Sequence, residues 1–156
     1  MLTVSDTRTE ATDRSGRRIR DLLTRQGHTI VEYAIVRDDC ETIRQRVTAL
    51  TRATPPLGPP PCRAILVTGG TGVAGRDVTH EAIGSLLDKR LDGFGELFRV
   101  LSYEQVGAAA MLSRALAGAV GRCAVFAMPG SPAGVELAME KLILPQLGHI
   151  VSLLDS

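Results

Sequence analysis

Aromatic residues are almost missing: three Phe, two Tyr and no Trp among 156 residues. Ring platforms for stacking nucleobases are therefore not expected. Neither sign of charge predominates. With 18 basic and 17 acidic residues the formal net charge is +1, so no binding to nucleic acid driven by bulk charge is expected either. Cysteine is scarce. Cys40, Cys62 and Cys123 are odd in number, widely spaced and without a CxxC pair. That argues against a disulfide framework and fits a reducing compartment, with each thiol a small, partly buried residue. The histidines, His28, His80 and His149, show no metal-ligand spacing. Common signatures are missing too: no GxxxxGK followed by Ser or Thr, no GxGxxG, no GxSxG elbow. No run reaches transmembrane length, and no signal-type segment precedes the first motif. A soluble cytoplasmic protein is expected, with neither nucleic acid nor membrane among its partners.

What is present is a repeated change of pattern. Short apolar runs alternate with helical periodicity. Residues 2–4 read as the end of a buried strand; only four residues precede Ser5, so this strand is short or begins upstream. SDTRTEATD reads as a polar loop. SGRRIRDLLTRQ then sets Ile19, Leu22 and Leu23 at helical spacing, with Gly27 where a helix would stop. TIVEYAIV (29–36) reads as a second strand, and CETIRQRVTAL places Ile43, Val47 and Leu50 on one helix face. TPPLGPPP cannot prolong that helix and reads as a stiff connection. RAILVTGG reads as a third strand.

THEAIGSLLDKR reads as a third helix capped by Thr79, with Ala82, Ile83, Leu86 and Leu87 facing inward. GFGELFRVLSYEQVG reads as a loop or short hairpin carrying Phe94 and Phe98; AAAMLSRALAGA reads as helical. CAVFAMPGS is a strand ending in a polar turn. PAGVELAMEKLILPQL is a helix with Pro132 in its first turn, and HIVSLL is a final edge strand. The alternation implies an α/β fold with a mostly parallel sheet covered by helices on both faces. Residues 1–156 show no linker or repeat and read as a single domain.

Ligands of such sheets collect beyond the carboxyl ends of the strands. Four polar segments fall there: SDTR with Ser5 and Asp6, RDD with Asp38 and Asp39, TGGTG from Thr68 through Gly69, Gly70, Thr71 and Gly72, and PGS with Pro129, Gly130 and Ser131. The glycines let backbone approach a phosphate or adenylate; equally, they make a tight strand-to-helix turn without a ligand. Asp39 and Asp77 follow strand ends, where their carboxylates can share Mg²⁺ with substrate phosphates or simply cap the following helices. Asp38 is expected to be solvent exposed, and Asp6 to place a loop. Ser131 sits where an anion or an ordinary N-cap fits. Arg8, Arg37 and Arg76 can meet phosphate or remain solvated. Ser113 and Arg114 are expected in a helix near the site, held by local packing.

Taken together, LTVSDTRTEATDRSG, IVRDD, VTGGTGVAGRDVTHEAI, DGFGELFR, LSYEQVG, LSRALAG and MPGSPAGVELAMEKLILPQLGH resemble the molybdopterin-binding family over nearly the whole chain. The resemblance implies a three-layer α/β/α, Mog-like fold, a homotrimer or homohexamer, and a place in molybdenum cofactor biosynthesis beside other proteins of that pathway. It implies Mg-ATP-dependent adenylylation of molybdopterin, giving adenylyl-molybdopterin and pyrophosphate. Asp39 and Asp77 match the family's metal-linked catalytic aspartates; TGGTG and PGS match its nucleotide and pterin pocket. The alternative within the same family is a non-catalytic molybdopterin-binding or carrier protein.

Overall fold

The fold follows from where the apolar positions point. The computed structural model describes residues 1–52 and 62–156, so the proline-rich connection expected at 54–61 lies outside the described residues. Among the described residues six strands form one sheet: β1 (Leu2–Val4), β2 (Ala34–Val36), β3 (Ala64–Thr68), β4 (Lys89–Arg90), β5 (Leu116–Val120) and β6 (Cys123–Met128), in the order β2-β1-β3-β6-β5-β4. The β2, β1, β3 and β6 ladders are parallel, and β5 runs antiparallel to both β6 and β4.

Side-chain alternation along β3 and β6 divides the core in two. Leu66, Ala124, Phe126 and Met128 face α1 (Arg14–Arg25), α4 (Asp92–Val106) and α5 (Pro132–Ala138) with its continuation. Ile65, Val67, Val125 and Ala127 face α2 (Cys40–Arg52) and α3 (Thr79–Gly84). Three layers, α/β/α, result.

Five expectations are corrected, the last at the C-terminus. Of the strand expected over 29–36, only Ala34–Val36 pairs, because β1 offers partners from Ala34 onward. The third helix stops at Gly84, since Asp88 and Leu91 donate backbone N–H groups to Ala119 and Ala117 on either side of the edge strand β4. The glycine-containing stretch expected as a loop is the 15-residue helix α4, fixed by Phe94 and Phe98, one turn apart on its buried face. Phe94 meets Phe126 edge-on at 5.5 Å. The alanine-rich stretch expected as a helix is a 3₁₀ turn (Gly107–Leu112) running into β5, whose Leu116–Ala119 are buried between neighbours.

At the C-terminus no edge strand forms. A π turn (Met139–Ile143) joins α5 to α6 (Leu144–Asp155). Pro145 has no N–H to return to the preceding turn, and a π turn is the local adjustment that absorbs such a loss. An 18-residue window within the combined segment Pro132–Asp155 has a mean hydropathy of 1.3, long and apolar enough to cross a bilayer by composition. Here Val135, Leu137, Met139, Ile143 and Leu147 lie against the sheet, which accounts for the inner face of the segment.

Candidate functional site

The β1 and β3 exits lie side by side, and the chain leaves them toward opposite halves of the sheet. This is the switch point where open α/β sheets bind ligands. Beyond β3 the backbone turns through Gly69 (φ +102°) and Gly70 (φ +63°), angles that side chains other than glycine's rarely adopt. The Gly69 N–H donates to Met128 C=O at 3.1 Å, and Thr68 Oγ1 donates to Pro129 C=O at 2.9 Å. So the Thr68 hydroxyl, at the head of the TGGTG segment, ties the β3 exit to the β6 exit. Thr71 is buried beneath the turn.

What stands over this turn differs from expectation. The Asp39 side chain is exposed and turned away, accepting from Thr42 N at 2.8 Å and Thr42 Oγ1 at 2.7 Å. Those bonds cap α2 and hold its carboxyl below the ordinary range. Asp38, expected in solvent, is half-buried and reaches the turn. A Cβ added to Gly70 would sit 2.7 Å from Asp38 Oδ1. Likewise a Cβ on Gly72 would sit 2.7 Å from Asp77 Oδ2. The glycines thus make room for two carboxylates, a signal that neighbouring aspartates in RDD conceal until the backbone fixes which one points inward.

The electrostatics agree with that pairing. Burial pushes the Asp38 carboxyl up; the Val78 N–H at 3.3 Å opposes this, and the charges of Asp77 and Asp6 add to the rise. Asp77 Oδ2 also accepts from Ala74 N at 3.0 Å, so it caps its own loop and not α3. Asp6 places a loop as expected: its Oδ1 accepts from the Asp38 N–H at 3.2 Å. Thr79, expected as a cap, buries its Oγ1 without a partner among the described residues, beside the same space above Gly70. An unpaired buried hydroxyl and a carboxylate under like-charge pressure both suit an incoming cation or donor.

On the other side of Gly69 lies a depression of about 290 Å³, lined by Ser5, Arg8, Arg14, Ser15, Thr68, Gly69, Gly130 and Pro132, with Thr3, Val4 and the hydrogen-bonded Asp13 at its inner wall. Ser5 Oγ accepts from Thr7 N and Arg8 N at 3.2 and 3.1 Å, shaping the loop that carries Arg8. Ser15 Oγ donates to Gly130 C=O at 2.7 Å. Ser131 caps α5 through Gly134 N at 3.1 Å. Arg14 and Ser15 were not singled out from sequence, because the basic face of α1 contains several equivalent arginines. A larger cavity, about 430 Å³ and mainly apolar, lies at the opposite end of the sheet and contains none of these groups.

Among the described residues no group of three or more His, Cys, Asp or Glu side chains is disposed to hold a metal. One or two carboxylates, such as Asp38 and Asp77 beside the same glycine turn, are nevertheless what Mg²⁺ commonly takes from a protein when substrate phosphates supply other ligands. The donor set therefore fits a cation arriving with a phosphate ester.

Comparison with known proteins gives one consistent result. Residues 1–149 match the family described as "Probable molybdopterin binding domain". The molybdenum cofactor biosynthesis protein B of Bacillus cereus is 52% identical over 151 residues, covering 96% of this chain and 86% of that protein. Its Bacillus subtilis counterpart is 48% identical over 154 residues, covering 97% and 86%. A crystal structure of a molybdenum cofactor biosynthesis protein B superposes with a TM-score of 0.92 at 52% identity, covering 99% of this chain and 92% of that one. The tungsten cofactor synthesizing protein MoaB from Pyrococcus furiosus superposes with a TM-score of 0.78 at 34% identity, covering 99% and 94%.

Proposed function

Because this chain belongs to the molybdopterin-binding domain family, we propose that it is a molybdopterin adenylyltransferase of molybdenum cofactor biosynthesis. It transfers the AMP part of Mg-ATP to the terminal phosphate of molybdopterin. An oxygen of that phosphate attacks the α-phosphorus of ATP, the bond to the β-phosphate oxygen breaks, and pyrophosphate leaves. No protein nucleophile is needed, since phosphoryl chemistry depends on positioning and charge neutralisation.

The observation that carries this reading is the pair of half-buried carboxylates, Asp38 and Asp77, standing over the glycine turn. They are the residues that would hold Mg²⁺, which when bound would neutralise charge on the triphosphate. Asp38 takes the role expected of Asp39. Asp6 fixes the Asp38 backbone. Gly69, Gly70 and Gly72 admit phosphate close to backbone, while Arg8 and Arg14 give the adjoining depression positive charge for an anionic substrate. Ser5, Thr68 and Gly130 line its walls, while buried Thr71, the Pro129 carbonyl that holds Thr68 and the Ser131 cap of α5 support the turns around it.

We read residues 1–156 as one domain that acts in the cytoplasm as a homotrimer or homohexamer, in contact with other proteins of the pathway. The exposed apolar side chains of α4 and the following 3₁₀ turn support association.

The test is pyrophosphate release from Mg-ATP with purified molybdopterin. Asp38→Asn or Asp77→Asn is expected to lower kcat by about 10²-fold or more, the range typical of lost electrostatic stabilisation. Tight molybdopterin binding by the unaltered protein without any pyrophosphate would identify a carrier instead.

A further inference from the structure

The loop between the two ends of the carboxylate-bearing turn, residues 72–77, is largely exposed. Its internal bonds are few: the Asp77 N–H donates to Ala74 C=O at 2.8 Å, and Ala74 N–H donates to the Asp77 carboxylate. Among the described residues, the hydrogen bonds reaching this loop from elsewhere come from a single side chain. Arg114 Nε donates to Gly72 C=O at 2.7 Å, and its Nη2 donates to Asp77 C=O at 2.7 Å. One planar guanidinium therefore closes the loop at both ends.

The remaining groups of Arg114 extend the same clamp. Its Nη1 pairs with the Glu81 carboxylate on α3. Its backbone N–H donates to Thr71 C=O at 3.0 Å, and its own C=O meets His80 Nδ1 at 2.7 Å. Three guanidinium nitrogens are engaged with protein oxygens, which separates this residue from Arg8 and Arg14 across the turn. Arg114 is not in a helix, as its alanine-rich neighbourhood suggests. It lies in the extended segment between the 3₁₀ turn and β5, where its backbone and side chain both bind the glycine turn.

We propose that Arg114 is a positioning residue: its guanidinium fork fixes Gly72 and Asp77 so that the Asp77 carboxylate keeps its place over the turn. The proposal rests on the adenylyltransferase reading for its kinetic consequence, but not for its structural one. Lysine cannot reproduce it. An ammonium is a point charge on a flexible stem, whereas the fork serves two carbonyls and a carboxylate in one plane. A misplacement on the order of 1 Å at a reacting group can cost about 100-fold in rate.

The experiment compares Arg114→Lys and Arg114→Ala with the unaltered protein in two measurements. The first is amide hydrogen exchange of the ligand-free protein; faster exchange confined to residues 70–78, with β3 and β6 unchanged, is expected in both variants. The second is Mg-ATP-dependent pyrophosphate release; a kcat about 100-fold lower with an unchanged KM for molybdopterin is expected. Should Arg114→Ala fail to fold, Arg114→Lys alone decides. Unchanged exchange, or a lysine variant matching the unaltered protein, overturns the proposal. An equal loss in KM and kcat with exchange raised throughout the sheet also overturns it, since that marks a general structural role. If the unaltered protein releases no pyrophosphate, the functional reading falls, and exchange still judges the clamp.

Discussion

Asp38 and Asp39 are chemically identical neighbours with opposite surroundings. The chain leaves β2 so that the second carboxylate finds the free N–H groups of α2, while the first is drawn under Val78 N–H and over Gly70. Asp39→Ala should therefore lower the melting temperature while leaving pyrophosphate release intact. Asp38→Ala should abolish release; a reversed result would return the catalytic role to Asp39. The raised Asp38 carboxyl gives a second check. Its NMR titration midpoint is expected above the ordinary aspartate range, and Asp77→Asn, by removing a neighbouring charge, should bring it down.

Buried Asp13 is a structural counterpart. It accepts from Thr3 Oγ1 at 2.6 Å, Tyr33 Oη at 2.8 Å and Gly16 N at 2.8 Å, and so binds β1, α1 and the approach to β2. Burial, then the Asp13 hydrogen bond and charge, push the Tyr33 phenol up to about 12. Because the folded value exceeds the unfolded one, Tyr33's stabilising contribution is complete below pH ~10 and disappears as pH rises toward 12. With Tyr103→Phe leaving Tyr33 as the sole tyrosine, ultraviolet titration should show this late ionisation, and Asp13→Asn should move it earlier.

At the scale of the element, α4 shows why glycine alone is a poor guide. A Cβ at Gly93 meets nothing within 4 Å, whereas one at Gly95 would lie 2.6 Å from Ala115 C=O. Alanine gains up to about 1 kcal/mol of helix propensity over glycine, but forcing a carbon against backbone costs about 1–3 kcal/mol. Gly93→Ala should thus be neutral or stabilising in chemical denaturation, and Gly95→Ala destabilising by about 1–2 kcal/mol. If both stabilise, α4 does not approach β5 as closely as described. The same element carries Phe98, 1% exposed, whose truncation to alanine should cost about 3–5 kcal/mol, as for other buried aromatics.

For the whole molecule, the informative surface is the outer side of α4 and the 3₁₀ turn. Leu97, Val100, Tyr103 and Val106 recur at three-residue spacing, and Met111 and Leu112 follow; Met111 is 76% exposed. Unpartnered apolar strips of this kind usually mark an interface. A second copy of the chain is the expected occupant. The double change Leu97→Glu with Val100→Glu should shift the protein to monomers in light scattering without loss of fold, and an unaltered mass distribution would count against this face.

The sequence alone determined the α/β alternation, both faces of the core and the four strand-end segments that converge. These rest on local periodicity: Ile19 with Leu22 and Leu23, Ile43 with Val47, and the apolar run from Ile65 to Val67 each record burial directly in the order of residues. Tertiary structure decided the rest. It made a helix of DGFGELFRVLSYEQV and a strand of LAGAV, because Phe94 and Phe98 meet a partner face and Leu116–Ala119 fill a gap beside β6. It also turned Asp38 toward the glycine turn and Asp39 onto α2, and set Arg114 against the turn. Those choices turn on the direction of single side chains toward residues distant in the chain, and no local pattern encodes that direction.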